Sequence, residues 1–565
     1  MDSSREYMVF NPFIFRIPLF CLEQHTKGNI STVLYNPQFL EALCLASPVL
    51  YKEVDRFKNG KLKQEELLKF QVSVYKYYSR MCSRCTPFGL FAGCGIGEIG
   101  EKSKILPTQT GRHKSSTRLD MDFLGALIQN ICKGTQFKEQ LEYFPNTSLY
   151  QSGKNLRYTE YSYSKTRRKY VITEAESTSY LVEVLDKATC GASVTELTGL
   201  LVDEEITLDE AKEYIEELVD SQLLISELEP SVTGEDMLQQ LLKKLRRIEG
   251  TNGIHTRLEC VAENLKDIDQ LPVGRPVKIY EEIKKKIEEF DTKFDEKFLF
   301  QSDLFIESEH ASLGTQIISA AQKGIFALNR LSAKYENPLL KKFREDFYKK
   351  YEDEEIPLLQ ALDVETGVGF GNIDGQRGDI NPLLEGIQFP GGHPVGQDIK
   401  IDMVQAILMK KYDEYLCNPD QKEIVINDDD LKNLKENWDD LPDTVSAMIE
   451  VIHTEECPDG PLVSMSQAGG SSAANLLGRF CYLDGKINSF VEQIVKKEQE
   501  LNPDKILAEI VHLPESRLGN ILMRPAFREY EIPYLANTSV DKEKIIPVTD
   551  LMVSVPQALC LQNEA

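Results

Sequence analysis

The 565-residue chain is 41% hydrophobic and 27% charged, with 25 prolines spread along it, which excludes a disordered protein and predicts several packed modules instead of one core. A formal net charge of −25 repels a polyanion, so nucleic acid can be held only where basic residues are concentrated locally. Twelve cysteines at irregular spacings read as reduced thiols. The one CxxC pair, Cys82 and Cys85, lacks the second pair or nearby histidines that a zinc site requires, so no metal is expected.

In chain order, residues 8–22 form the most apolar stretch near the start, but Asn11, Pro12, Arg16 and Pro18 interrupt it. It is neither a signal peptide nor a membrane span, no other segment reaches the roughly 18 apolar residues a span requires, and a cytoplasmic location is expected. Residues 64–84 follow helical spacing through Leu67, Phe70, Val74, Tyr77 and Met81, and Pro87 ends the helix. Arg80 and Arg84 are four apart on one side of it, and Arg84 falls close to the apolar stripe, where a charge needs a partner.

Basic residues gather at Arg112, His113, Lys114 and Arg118, at Lys165, Arg167, Arg168 and Lys169, and at Lys243, Lys244, Arg246 and Arg247. Each cluster reads first as a solvated face. Residues 150–228 read as a unit of their own. Two β-branched and tyrosine-rich runs, 155–162 and 168–174, predict a hairpin. Helical patterns follow at 180–187, 194–201 and 208–224, with Ser193 and Thr207 as N-caps. Strands with three helices make a winged-helix-like module, which can bind nucleic acid by a helix or a peptide along a strand edge. Its last helix carries Asp209, Glu210, Glu213, Glu216, Glu217 and Asp220, which favours a peptide.

Residues 229–250 look like a linker running into a helix. A charged helix over 278–298 precedes a buried strand at 298–306, a further helix covers 339–351, and the Gly/Pro-rich 367–396 must be loop and turn. Strand and helix patterns alternate irregularly, so the fold class is α+β, multidomain, with mixed sheets and flanking helices. The boundaries read as 1–149, 150–228 and 229–565.

The sequence has neither a Walker A motif nor a GxSxG elbow, and Gly367-Val-Gly369-Phe-Gly371 lacks dinucleotide-binding spacing. An enzyme of this kind needs a substrate that arrives already activated, as an aminoacyl-tRNA ester does. The run Arg80-Met-Cys-Ser-Arg84-Cys-Thr86-Pro87-Phe88-Gly89-Leu90-Phe91-Ala92 resembles the Arg-x-x-x-Arg-x-Thr-Pro-Phe-Gly-Leu-Phe-Ala signature of the lantibiotic dehydratase N-terminal region. Phe15-Arg16-Ile-Pro18-Leu19, Arg118-Leu-Asp120, Asn146-Thr-Ser148-Leu149-Tyr150, Asp303-Leu304, Gly478-Arg479-Phe480 and Arg524-Pro525 keep the family's order, and the resemblance runs from residue 13 to about residue 556.

The resemblance implies transfer of glutamate from glutamyl-tRNA, as co-substrate and with no other cofactor, to Ser and Thr hydroxyls of a ribosomally made precursor peptide. It implies Arg80, Arg84, Thr86, Asp120 and Asp303 as catalytic residues, and Arg16, Arg118, Arg479 and Arg524 as residues holding tRNA or glutamate. It places a leader-peptide recognition module at 150–228, allows a homodimer, and implies a separate elimination-domain protein, because the chain stops before such a domain. Fixed guanidiniums suit an oxyanion or a phosphate, and an aspartate can orient them, hold the glutamyl amine or take a proton. Structural readings stand beside these: Arg84 as a helix-end charge, Asp120 as the N-cap of 121–131, and Thr86 as a turn residue. Two other activities are compatible: a ligase joining an amino acid from aminoacyl-tRNA to a carrier peptide C terminus, and a non-catalytic scaffold that binds the precursor.

Overall fold

A computed structural model describes residues 7–27, 30–164, 167–332, 337–371, 401–418, 420, 422–439, 441–452, 461–514 and 516–555. Helices alternate irregularly with several small sheets, an α+β architecture. The chain divides into two compact units. One comprises Phe10–Thr315 and Ala473–Asp550, and the other Met1–Val9, Gln316–Ser472 and Leu551–Ala565. The sequence pattern draws no boundary at any of these four junctions.

In the larger unit the central sheet runs Lys104–Pro107, Ser308–Gly314, Ala92–Gly100, Phe300–Phe305, Lys114–Leu119, and Phe13–Pro18 pairs antiparallel with Ala92–Gly100. Alternation along these strands sorts side chains onto two faces. Phe13, Phe15, Ile17 and Leu304 join one hydrophobic cluster with Phe39, Val74 and Met81. Ile14 and Phe305 join another with Phe480, Ile487 and Phe490. Close packing across the sheet requires glycine: a Cβ on Gly93 would meet the Leu304 carbonyl oxygen at 2.4 Å, and one on Gly95 the Phe15 ring at 2.3 Å.

The Gln64–Ser83 helix packs Phe70, Val74, Tyr78 and Met81 inward and ends at Arg84, whose N–H still donates to the Arg80 carbonyl. Residues 155–164 and 167–176 pair as the expected hairpin, and the following helices are Ser179–Ala188, Val194–Leu201 and Leu208–Asp220. Ser193 and Thr207 each close a capping box, with Glu196 and Glu210. The third helix stops short of the predicted residue 224 because Gln222 adopts φ +60, and Leu224–Ser226 becomes a strand between the module and its own start. That strand pairs with Glu142–Pro145, which also pairs with Ala192–Ser193, so the module's sheet begins before residue 150.

The expected linker is not a solvated tether. Ser231, Val232 and Thr233 are buried, and the Pro230 and Val232 carbonyls accept from the N–H groups of Asn537 and Arg524. Only its later part, Met237–Leu245, is helical. The helix predicted over 278–298 ends at Glu288, ahead of a left-handed Asp291, and the strand that follows is Phe300–Phe305. In the smaller unit, Asn337 caps the Pro338–Tyr351 helix, whose Phe343 and Phe347 pack with Ala361 and Val555. Residues 367–371 lie outside any helix or strand, as expected, and the rest of the Gly/Pro-rich stretch lies outside the described residues. Among the described residues no helix is long and apolar enough to cross a membrane.

A polar network lies beneath the sheet. Glu41, fully buried, accepts from the Gly274 and Arg275 N–H groups and from the Tyr280 hydroxyl at 2.6, 3.0 and 2.7 Å, and its carboxylate pairs with the Arg275 guanidinium at 2.7 Å. Arg275 also donates to Ser115, whose hydroxyl donates to Asp269. Removing one member of a buried ion pair leaves the other charge unpaired, so Glu41→Ala should lower the unfolding free energy by about 3–5 kcal/mol in urea titration.

Candidate active site

Four of the nine residues singled out in the sequence converge on one face of the central sheet. Arg16 shares the face of Ile14 on its strand, and Asp303 that of Phe305. Arg118 stands opposite Gln301, two residues from Asp303, within reach of a long side chain on the same face. Arg479 arrives from the short turn Gly478–Phe480. Asp303 is 2% exposed. Its Oδ1 accepts from Nε of Arg479 at 3.1 Å and from a second nitrogen of the same guanidinium, and its Oδ2 accepts from Arg118 at 3.4 Å.

Aromatic rings line the same place. The guanidiniums of Arg16 and Arg479 lie 5.8 and 5.1 Å from the centroid of Phe480, and that of Arg118 lies 5.4 Å from the centroid of Tyr482. Burial and the nearby Arg479 lower the Arg16 pKa, and Arg16 forms no ion pair among the described residues. Two of the three guanidiniums thus share one hydrogen-bonded carboxylate, and the third, Arg16, lies beside Arg479 without one. The next acidic group, Asp236, caps the Met237–Leu245 helix, and burial pushes its pKa up against the pull of Arg118. A surplus of positive charge held in low dielectric is a site for an anion. Cys94, opposite Arg16 across the strand pair, is pushed by burial to about 12 and stays a neutral thiol.

The other five residues stand apart from this cluster. Arg80 and Arg84 form a second cationic group at the end of the Gln64–Ser83 helix. The Arg80 guanidinium lies 4.3 Å from the centroid of Phe88, and its Nε is buried without a hydrogen-bond partner among the described residues. Burial, and then Arg84, lowers its pKa. Arg84 is exposed, with no carboxylate partner among the described residues, so the partner its position called for is not supplied. Thr86 is exposed in the turn before Pro87. Asp120, 3% exposed, takes the structural position weighed for it: it caps the Met121–Lys133 helix through the Asp122 N–H. Arg524 pairs with Glu509 at 2.7 Å.

Several cations of the basic runs prominent in the sequence are neutralised. Arg168 pairs with Glu229, Arg247 with Glu227, Lys243 with Glu235, Arg246 with Glu259, and Lys114 with Glu307 and Asp484. Sequence reasoning quoted Phe480 only within a motif and missed Tyr482. Their signal was the alternation of aromatics after Arg479, legible only once a strand arginine is known to face each ring. No group of three or more His, Cys, Asp or Glu that could hold a metal ion occurs among the described residues.

Asp303 is the acceptor that joins Arg118 to Arg479. Its truncation to Ala should lower the unfolding free energy by about 3 kcal/mol or more, and Asp303→Asn, which keeps an acceptor oxygen, by less; urea unfolding of both variants measures the difference.

The family described as lantibiotic dehydratase, N terminus, matches residues 35–562. Subtilin biosynthesis protein SpaB of Bacillus subtilis is 23% identical over 562 residues, 96% of this chain and 52% of that protein. Nisin biosynthesis protein NisB of Lactococcus lactis subsp. lactis is 24% identical over 555 residues, 94% of this chain and 52% of that protein. The chain spans about half the length of the curated relatives it matches. Among solved structures, the tRNA dependent lantibiotic dehydratase MibB from Microbispora sp. 107891 is similar with a TM-score of 0.78 at 20% identity, over 97% of this chain and 52% of that one. The glutamylation domain of TbtB, from thiomuracin biosynthesis, is similar with a TM-score of 0.60 at 14% identity, over 94% and 64%. With the family's match running through nearly the whole chain, including the helix-end arginines, Asp303 and Arg479, this protein belongs to the lantibiotic dehydratase family, in its N-terminal region.

Proposed function

We propose that this chain transfers the glutamyl group of glutamyl-tRNA to Ser and Thr hydroxyls of a ribosomally made precursor peptide. The observation that carries this reading is the cluster of Arg16, Arg118 and Arg479 around one buried carboxylate, in a chain whose overall charge is −25. Such a surplus suits a substrate that is anionic at the glutamyl carboxylate and at the phosphates of the tRNA end. Two structural neighbours, the tRNA dependent lantibiotic dehydratase MibB and the glutamylation domain of TbtB, agree with it.

In the proposed reaction the peptide hydroxyl oxygen bonds to the glutamyl carbonyl carbon, the ester bond to the ribose oxygen breaks, and the hydroxyl proton ends on that ribose oxygen. No ATP is consumed, because one ester replaces another. The carbonyl oxygen becomes an oxyanion on the way, and fixed guanidiniums stabilise it more than they stabilise the starting ester. We assign Arg16, Arg118 and Arg479 to the glutamyl carboxylate and the oxyanion, with Asp303 holding the last two in place. Arg80 and Arg84, with Thr86 beside them, are assigned to the phosphates of the tRNA end. Asp120 and Arg524 support the site through the helix and the strand segment that they fix. The product is a glutamyl ester of the Ser or Thr side chain, whose elimination would call for a base at the α carbon.

Incubation of the protein with its precursor peptide and glutamyl-tRNA, without ATP, should give Ser and Thr glutamyl adducts in the mass spectrum. Arg479→Ala or Arg16→Ala should slow their formation about 10²–10³-fold, the usual loss when one oxyanion donor is removed. Absence of adducts would sink the reading. A residue added at a peptide C terminus only when ATP is present would indicate the ligase, and tight peptide binding without any adduct would indicate the scaffold.

The leader of the precursor is assigned to the 142–228 module. Strand Arg167–Glu176 pairs on one side with Asn155–Ser164, and among the described strands no other joins its second edge. Val171 and Ile172 on this strand are 59% and 54% exposed, and Tyr180 and Val182 on the next helix are exposed too. An extended peptide can add as a strand to such an edge and cover the apolar side chains. Losing the burial of one such side chain should weaken leader binding about tenfold, so calorimetry on Val171→Asp and Ile172→Asp tests it, with unchanged affinity excluding this edge.

A further inference from the structure

Beside the charge of Asp236, two contacts bear on the Arg118 guanidinium, and they are unequal. Its bond to Asp303 is single and long, at 3.4 Å, and the same carboxylate is engaged by two nitrogens of Arg479. One long bond to a shared acceptor is a weak hold on a guanidinium that another guanidinium repels. The second neighbour is the ring of Tyr482, 5.4 Å from the guanidinium carbon, and the electron-rich face of a phenol ring attracts a cation.

The ring is itself fixed at its far end. The Tyr482 hydroxyl donates to the Gly234 carbonyl at 2.5 Å. Gly234 has φ +89, and a Cβ there would stand 2.5 Å from Cβ of Ser539, so only glycine presents that carbonyl without strain. The backbone on either side is pinned: the Val232 carbonyl accepts from the Arg524 N–H, the Thr233 hydroxyl accepts from Ser539, and Asp236 caps the next helix. Tyr482 belongs to none of the hydrophobic clusters that build the core. Its packing is directed at Arg118 on one side and at Gly234 on the other.

We propose that Tyr482 is a positioning residue for the transfer: its ring holds the Arg118 guanidinium against Asp303, and its hydroxyl bond to the Gly234 carbonyl fixes the ring. The proposal depends on the glutamyl-transfer reading for its effect on rate, although the contact itself does not. It adds to the reaction a residue that touches no substrate atom and acts through Arg118.

The test is a double-mutant cycle on the full chain, with kcat/KM for glutamyl-tRNA as the rate readout and urea unfolding as the second. Tyr482→Leu removes both ring and hydroxyl and should lower kcat/KM about two- to thirtyfold, the worth of a cation–ring contact. Tyr482→Phe keeps the ring and should recover most of that loss. In the Arg118→Ala background Tyr482→Leu should cost nothing further, since the group it positions is gone. Wild-type kcat/KM in Tyr482→Leu, or losses that multiply in the double variant, would overturn the proposal. If the wild-type chain shows no transfer, the transfer reading fails, and the unfolding arm still decides the contact: coupling between Arg118 and Tyr482 supports it, and additive effects overturn it.

Discussion

One buried carboxylate organises the candidate site. Asp303, at 2% exposure in the central sheet, accepts from Arg479 on one oxygen and from Arg118 on the other. An isolated carboxylate at that depth would carry a large desolvation penalty, and arginines of like charge would separate without it. Each condition is met only by the other. The strand that carries Asp303, the strand that carries Arg118 and the turn that carries Arg479 must therefore be in register for either to be stable, and the sheet supplies that register. The aromatic rings of Phe480 and Tyr482 complete the arrangement by giving Arg16, Arg118 and Arg479 a surface to lie on.

This explains how a strongly acidic chain can be suited to an anionic substrate. Net charge describes the whole surface, whereas binding is decided by the charges left over at one place. The conspicuous basic runs contribute little there, because Arg168, Arg246, Arg247, Lys243 and Lys114 are each paired with a carboxylate. The cations of the two candidate groups are scattered through the sequence, at positions 16, 80, 84, 118 and 479, and only Arg118 lies in one of the basic runs. Two are on strands, two at a helix end and one in a turn.

The segment after the winged-helix-like module shows how composition can mislead. Pro230 and Gly234 read as the punctuation of a tether, yet the chain between them is buried and its carbonyls are taken up by residues near positions 482, 524 and 537. Glu229, at its start, accepts from Arg168 and Tyr161 of the hairpin. Proline and glycine here set the path of a buried strand-like segment between distant parts of the chain.

Local order was largely legible in the sequence. The hairpin over 155–176, the capping boxes at Ser193 and Thr207 and the long helix ending at Arg84 depend on interactions between near neighbours, so pattern and capping chemistry suffice to find them. The ends were less secure, as the helix stopped at Asp220 shows, because a single left-handed residue, Gln222, is set by what the chain must do next. The candidate residues were also named from the sequence, through motifs whose order resembles a family's. Their grouping was decided only by tertiary structure: Asp303 meets Arg118 and Arg479 across 185 and 176 residues, while Asp120, two positions from Arg118, points into a helix cap. The strand that carries Arg118 ends at Leu119, so Asp120 turns away into the cap of the next helix, while strand pairing brings remote residues to one face. Sequence distance therefore says little about which charges meet.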